Sequence, residues 1–214
     1  MYLTLLLMLK GSLLTLAISL SSISIGLLIG FFIGIFNSKY LNIKFLSFVC
    51  RCYVSLIRGT PLFIQILIIY FGLPSIIGYD LSPFSAGVIA LGLNSSAYLS
   101  ETIRGGINSI SKGQWEAALL LGYSKKRSFS SVILPQAIFT VFPSIANEFI
   151  CLIKESSILM VLGVPELTKV SKDIVTRELV PMQIYTLSAV FYLSMTSFFS
   201  FIFSKFEKRL SYDY

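Results

Sequence analysis

The chain predicts an all-α, polytopic membrane protein. Hydrophobic residues fill 55% of its 214 positions and charged residues only 13%, and the apolar residues gather in runs of bilayer length. A soluble domain carries about 25% charged residues, and the mean hydropathy of +0.83 lies on the lipid side of that comparison. Apolar runs near 11–36, 55–77, 84–103, 133–153 and 182–204 predict five transmembrane helices, each near the ~20 residues that cross the hydrocarbon.

The first run is longer than the core of a cleaved signal peptide and is expected to stay in the protein. Its Gly26, Gly30 and Gly34 recur every four residues, a ladder that lets a neighbouring helix approach at backbone distance. The second run follows Arg58-Gly59-Thr60-Pro61. Proline loses no hydrogen bond in a first helical turn, and Arg58 orients the helix start at the cytoplasmic end. The third run places Asn94, Tyr98 and Glu101 on one face, with Arg104 one turn beyond as a partner for Glu101.

The connection over about 105–132 is basic and strongly patterned. Ser111 and Gln114 have capping-box spacing, so a helix can start at Lys112, run through Glu116-Ala117-Ala118 and stop at Gly122, which tolerates a left-handed turn. Ser124 can cap a second helix, giving a helix-turn-helix with Lys125, Lys126 and Arg127 at its tip. Such a shape suits a protein partner; the alternative is an interfacial hairpin that binds only lipid headgroups.

In the fourth run Gln136, Thr140, Ser144, Asn147 and Cys151 step by four, four, three and four, one helical face with Glu148 beside it. Polar groups in hydrocarbon need protein or water, so the stripe either lines a path or joins helices. Pro135 and Pro143 remove backbone donors and permit kinks. By spacing alone Lys154-Glu155-Ser156-Ser157 is an exposed external loop after this span.

Basic residues set the orientation. Lys39, Lys44, Arg51 and Arg58 in the first connection, Arg104, Lys112, Lys125, Lys126 and Arg127 in the third, and Lys205, Lys208 and Arg209 in the tail belong to the cytoplasmic side. On the other side Lys10, Lys154, Lys169, Lys172 and Arg177 are offset by Asp80, Glu155, Glu166, Asp173 and Glu178. The N-terminus is therefore expected outside and the C-terminus in the cytoplasm. A net charge of +7 without a basic aromatic face or nucleic-acid motif does not point to nucleic acid. Histidine is absent, Cys50 and Cys52 have neither zinc spacing nor a disulfide framework, and no phosphate-binding loop occurs. No metal site, catalytic residue or nucleotide site is expected in the chain, and one membrane domain over 1–214 is the economical reading.

Two sets of residues carry a family resemblance. Glu116-Ala117-Ala118, Gly122 and Leu134-Pro135 resemble the signature of ATP-binding cassette importer permeases. That resemblance implies the type I importer permease fold, a loop that inserts into a cleft of the ATPase subunit, and an ATPase-coupling role for Glu116, Ala117, Ala118, Gly122, Leu134 and Pro135. The second set covers about 54–168: Arg58-Gly59-Thr60-Pro61-Leu62 with Gln65, Tyr70-Phe71-Gly72-Leu73-Pro74, Ala97-Tyr98 with Glu101, Arg104-Gly105-Gly106-Ile107, Gly113-Gln114, Leu134-Pro135-Gln136-Ala137, Asn147-Glu148 and Lys154-Glu155-Ser156-Ser157. It is similar to the polar amino acid branch of these permeases, most of all the glutamine type. Departures are Val132, where isoleucine is usual, and Glu155-Ser156, where aspartate and threonine are common.

The resemblance implies a permease of the bacterial inner membrane working with two ATPase subunits, which bind the ATP. It further implies a second copy of itself or a related permease and an extracytoplasmic amino-acid-binding protein. It also implies that the chain folds back at 154–157 to border the path, so the expected path residues are Gln136, Thr140, Ser144, Asn147, Glu148, Ser156 and Ser157. The competing function is a structural or assembly membrane protein whose basic loop binds lipid.

Overall fold

The computed structural model describes residues 2–40 and 44–212, and among them every regular element is helical. Helix α1 (Tyr2–Phe36) begins nine residues before the expected span, because the apolar and helix-favouring Tyr2–Leu9 stretch continues it outward. It packs along α5 (Pro83–Ser109), and the glycine ladder sets the distance. A Cβ at Gly30 would stand 2.8 Å from the Ser96 carbonyl oxygen, and one at Gly34 2.8 Å from that of Ser100. On the opposing face Gly92 meets Ile25 in the same way, so the two backbones interlock through small residues on both sides.

Between them the chain forms α2 (Lys44–Arg58), α3 (Leu62–Leu67), a π-helical turn (Ile68–Gly72) and α4 (Leu73–Ile77). The second span was expected from 55. Residues 55–58 belong instead to α2, and the axis turns by 105° before Leu62–Ile77. Pro61 sits at φ −63°, ψ 135°, outside the helix, and lacks the N–H that would bridge the two segments. The π-turn precedes Pro74 as a second one, Phe129–Ile133, precedes Pro135. The wider turn clears each proline ring from the carbonyl four residues back, which is how the expected kink is absorbed there.

The connection after α5 holds α6 (Lys112–Leu120) and α7 (Lys125–Ser128), and α8 (Leu134–Glu155) follows the second π-turn. From Lys125 to Leu162 the chain is one helical rod of 38 residues. It does not end at the charges near 154. A 3₁₀ segment, Ser156–Leu162, extends it, with Leu159 fully buried against Gly87. The exposed loop expected at 154–157 is therefore a packed helical extension.

Gly163, at φ 79°, turns the chain into α9 (Leu167–Glu178). Buried Glu166 caps α9 by accepting from Thr168 N (2.8 Å) and Lys169 N (2.7 Å), and it accepts from the Tyr192 hydroxyl (2.9 Å) of α10 (Pro181–Tyr212). The main core joins α1, α5, α8, α9 and α10 through Met8, Ile18, Leu91, Leu99, Leu152, Leu167 and Ile184. Leu13, Leu20 and Leu28 of α1 and Leu193, Phe198 and Phe201 of α10 stay exposed, as a lipid-facing surface requires. Among the described residues three helical rods are long and apolar enough to cross a bilayer, and the bent α2–α4 pair makes up to four. The 27 residues of α5 reach about 40 Å, but Asn94, Ser95, Ser96 and Ser100 make it more polar.

Candidate functional site

Helix α6 starts at Lys112 as the spacing predicts, but the capping box does not form. The Ser111 side chain makes no capping hydrogen bond, and Gln114 N donates to the Ser111 carbonyl (3.2 Å) instead. The other end follows the sequence closely. Gly122 lies at φ 83°, its N–H donates to Leu119 O (3.0 Å), and Tyr123 N–H donates to Ala118 O (3.1 Å). These two bonds form a Schellman closure, which satisfies carbonyls that the helix end would orphan. Ser124 then caps α7 by accepting from Arg127 N (3.3 Å). The second arm is the foot of the 38-residue rod rather than a separate hairpin helix.

Glu116, Ala117 and Gly122 are exposed, whereas Ala118 is buried against the chain. Beside them stand Leu120 at 88% and Leu121 at 78% exposure, followed by the exposed Lys125, Lys126 and Arg127. Sequence reasoning missed these leucines; apolar surface of this kind next to a cationic tip has the chemistry of a protein-docking surface. Leu134 and Pro135 are half-buried at the start of α8, directly after the π-turn Phe129–Ile133.

The polar stripe of α8 divides. Gln136 Nε2 donates to Val132 O (2.8 Å) and Thr140 Oγ1 to Gln136 O (3.0 Å), so both are satisfied locally. Thr140, Ser144 and Asn147 face away from the core, and Cys151 is half-buried. Asn147 lines a cleft of about 600 Å³ with Thr196, Ser197, Ser200 and Ser204 of α10. Thr196, Ser200 and Ser204 recur every four residues, with Ser197 beside them, a second polar stripe that the sequence reading passed over. Glu148 turns the other way, toward Ser95 of α5, whose buried hydroxyl makes no hydrogen bond of acceptable geometry. Ser156 is fully buried and donates to Ile153 O (2.8 Å), and Ser157 is half-buried.

A second polar site lies at the break between α2 and α3. Gln65 Nε2 donates to the freed carbonyls of Ile57 (2.7 Å) and Thr60 (3.1 Å) and to Thr60 Oγ1 (2.9 Å). Gln65 Oε1 accepts from Asn94 Nδ2 (3.0 Å), and the Tyr53 hydroxyl donates to Leu93 O (3.0 Å). These contacts reach the middle of α5, so the break, although its residues Arg58 to Pro61 are exposed, lies level with the middle of that helix. Irregular backbone at membrane depth is tolerated where side chains satisfy it or a cavity meets it.

The Arg58 guanidinium lies 5.2 Å from the Tyr98 ring centre. Arg58, Arg51, Ser55 and Glu101 line one cleft of about 410 Å³, and Glu101 pairs with Arg104 at 2.6 Å as expected. The cleft thus holds two guanidinium groups beside a carboxylate already paired with Arg104, a lining suited to a charged polar ligand. Spacing had grouped Asn94, Tyr98 and Glu101; only the fold brings Arg58 and Gln65 to them.

A helical bundle with long apolar rods, an exposed basic loop and two polar clefts has the architecture of a membrane permease. Residues 26–212 match the family described as binding-protein-dependent transport system inner membrane component, and the chain belongs to that family, a transport component rather than an enzyme. It is 36% identical over 205 residues to the glutamine transport system permease protein GlnP of Escherichia coli K12, covering 95% of this chain and 93% of that one. It is 43% identical over 156 residues to the arginine transport system permease protein ArtQ of Bacillus subtilis, covering 72% and 71%. A crystal structure of an amino acid ABC transporter with histidines contains a chain that superposes with a TM-score of 0.87 at 40% identity, covering 95% of this chain and 94% of its own. The all-α permease fold is thus established.

Proposed function

We propose that the chain is the transmembrane subunit of an ATP-driven importer for polar amino acids, glutamine or a chemical relative. The observation that carries the reading is the docking loop: exposed leucines on a turn that glycine fixes, followed by a cationic tip that opens the 38-residue apolar rod. The ATPase subunits grip Glu116 to Gly122 and bind the ATP. A second copy or a related permease faces the open polar sides of α8 and α10, and an extracytoplasmic binding protein delivers the amino acid. The names of the relatives support the substrate class.

In this reading α1, α2–α4, α5, α8 and α10 are five spans of one permease domain in the bacterial inner membrane, with the N-terminus outside. Arg58 and Glu101 meet the carboxylate and ammonium of the amino acid, and Asn147 with the α10 hydroxyls continues the polar path. ATP closes the ATPases, the loop moves with them, and the path switches from outside-open to inside-open. Copurification with the neighbouring ATPase, followed by ATP hydrolysis with and without the loaded binding protein, tests this. Stimulation of hydrolysis is expected; a permease that binds no ATPase would leave the lipid-binding assembly protein as the reading.

A further inference from the structure

The segment that follows α1 is clasped to the end of α5 and to the docking helix α6 by contacts that the permease reading does not use. Lys39 N donates to Asn108 Oδ1 (3.1 Å) and Lys39 Nζ to the Asn108 carbonyl (2.8 Å). One residue on, the Tyr40 ring stacks on Trp115 with centroids 4.5 Å apart and planes at 22°, and its hydroxyl reaches Ile110 O at 3.4 Å. Trp115 is the only tryptophan of the chain.

The need for a clasp follows from how α6 is attached. Ile110, extended at ψ 131°, separates α6 from α5, and the Gly122 turn separates it from α7, so a nine-residue helix hangs between two bends. Trp115 and Ala118 are its only residues not exposed. Ala118 is too short to grip a neighbour. Trp115 and Tyr40 both pack on a small cytoplasmic core of Ile103, Ile107, Phe129 and Ile133, which α1 joins through Phe31 and Ile35. A stacked pair of flat rings resists rotation as well as separation.

We propose that the Tyr40–Trp115 stack is the joint through which the docking helix moves the first span, Tyr40 acting as a positioning residue for transport. The inference rests on the importer reading. The stack gives α6 a direct ring-on-ring grip on the segment that follows α1, beside the small core that Trp115 and α1 share.

The test uses the assembled complex carrying Tyr40→Leu, with Tyr40→Phe as the variant that keeps the stacked ring. Tyr40→Leu should copurify with its ATPase and hydrolyse ATP at the basal rate, yet move at least about fivefold less amino acid per ATP, the lower end of usual coupling strengths. Tyr40→Phe should restore transport. A second readout needs no transported substrate. With the native cysteines replaced, spin labels at Gly113→Cys, which faces open space, and Leu20→Cys, which is 61% exposed, report the distance from α6 to α1. That distance should stay narrow in nucleotide-free and vanadate-trapped complexes and broaden in both when Tyr40→Leu is added. An unbroadened distance in Tyr40→Leu overturns the joint whatever the transport result, as does loss of the ATPase from that complex. A complex that moves no amino acid while Tyr40→Leu still broadens the distance sinks the substrate reading and leaves the joint standing.

Discussion

Valine in place of Gly122 should uncouple the permease from its ATPase without preventing membrane insertion. At φ 83° the residue occupies a region that β-branched side chains avoid. A Cβ added there meets nothing within 4 Å, so neighbours contribute no clash and the backbone alone carries the effect. Strain of that kind amounts to about 1–3 kcal/mol. Set against the turn held by Gly122 N to Leu119 O and Tyr123 N to Ala118 O, it shifts the population away from the docking shape by about 5- to 150-fold. Asparagine tolerates the left-handed region, so Gly122→Asn should keep most of the function. The assay is uptake and ATP hydrolysis by the reconstituted complex, normalised to inserted permease. Normal substrate-stimulated hydrolysis and uptake in a well-inserted Gly122→Val complex would refute the reasoning.

Gly30→Val, which forces atoms onto the Ser96 carbonyl, should destabilise the α1–α5 pair by about 1–3 kcal/mol, whereas Gly105→Ala, with open space around it, should be silent; thermal unfolding in detergent separates them. Asn147→Leu should lower uptake while leaving the ATPase bound, whereas Gln136→Leu, whose amide is satisfied within its own helix, should alter selectivity less. Arg58→Gln should raise the KM for the amino acid more than it lowers complex yield, and an unchanged KM would remove Arg58 from the path. Single cysteines near Asp80 should react with an impermeant reagent in intact cells and those near Lys126 only after permeabilisation; the reverse pattern overturns the orientation.

The legible parts of this chain are those whose physics is local in sequence. Gly26, Gly30 and Gly34 announced a close helix contact because spacing alone puts them on one face, and the Gly122 turn announced itself between helix-favouring residues and a capping serine. The start of the second span was misplaced because apolar residues 55–57 were counted across Gly59-Thr60-Pro61, where the backbone breaks. The helix beyond Glu155 was missed because charge was taken for an end. What continues it is Leu159 packing on Gly87, a contact between residues far apart in sequence. The pairing of Arg58 with Tyr98 and of Gln65 with Asn94 is equally non-local, set by a broken span folding onto α5. The α10 stripe was readable from its four-residue spacing, but its hydroxyls are diluted among phenylalanines.

The central claim is that work done on the Glu116–Gly122 loop moves a polar amino acid through this chain. Accumulation of radiolabelled glutamine in proteoliposomes holding the permease, its ATPase and the loaded binding protein tests it most directly. ATP on the loop side should drive uptake that ADP does not support and that unlabelled polar amino acids compete. An assembled complex that hydrolyses ATP normally yet accumulates no polar amino acid would contradict the account.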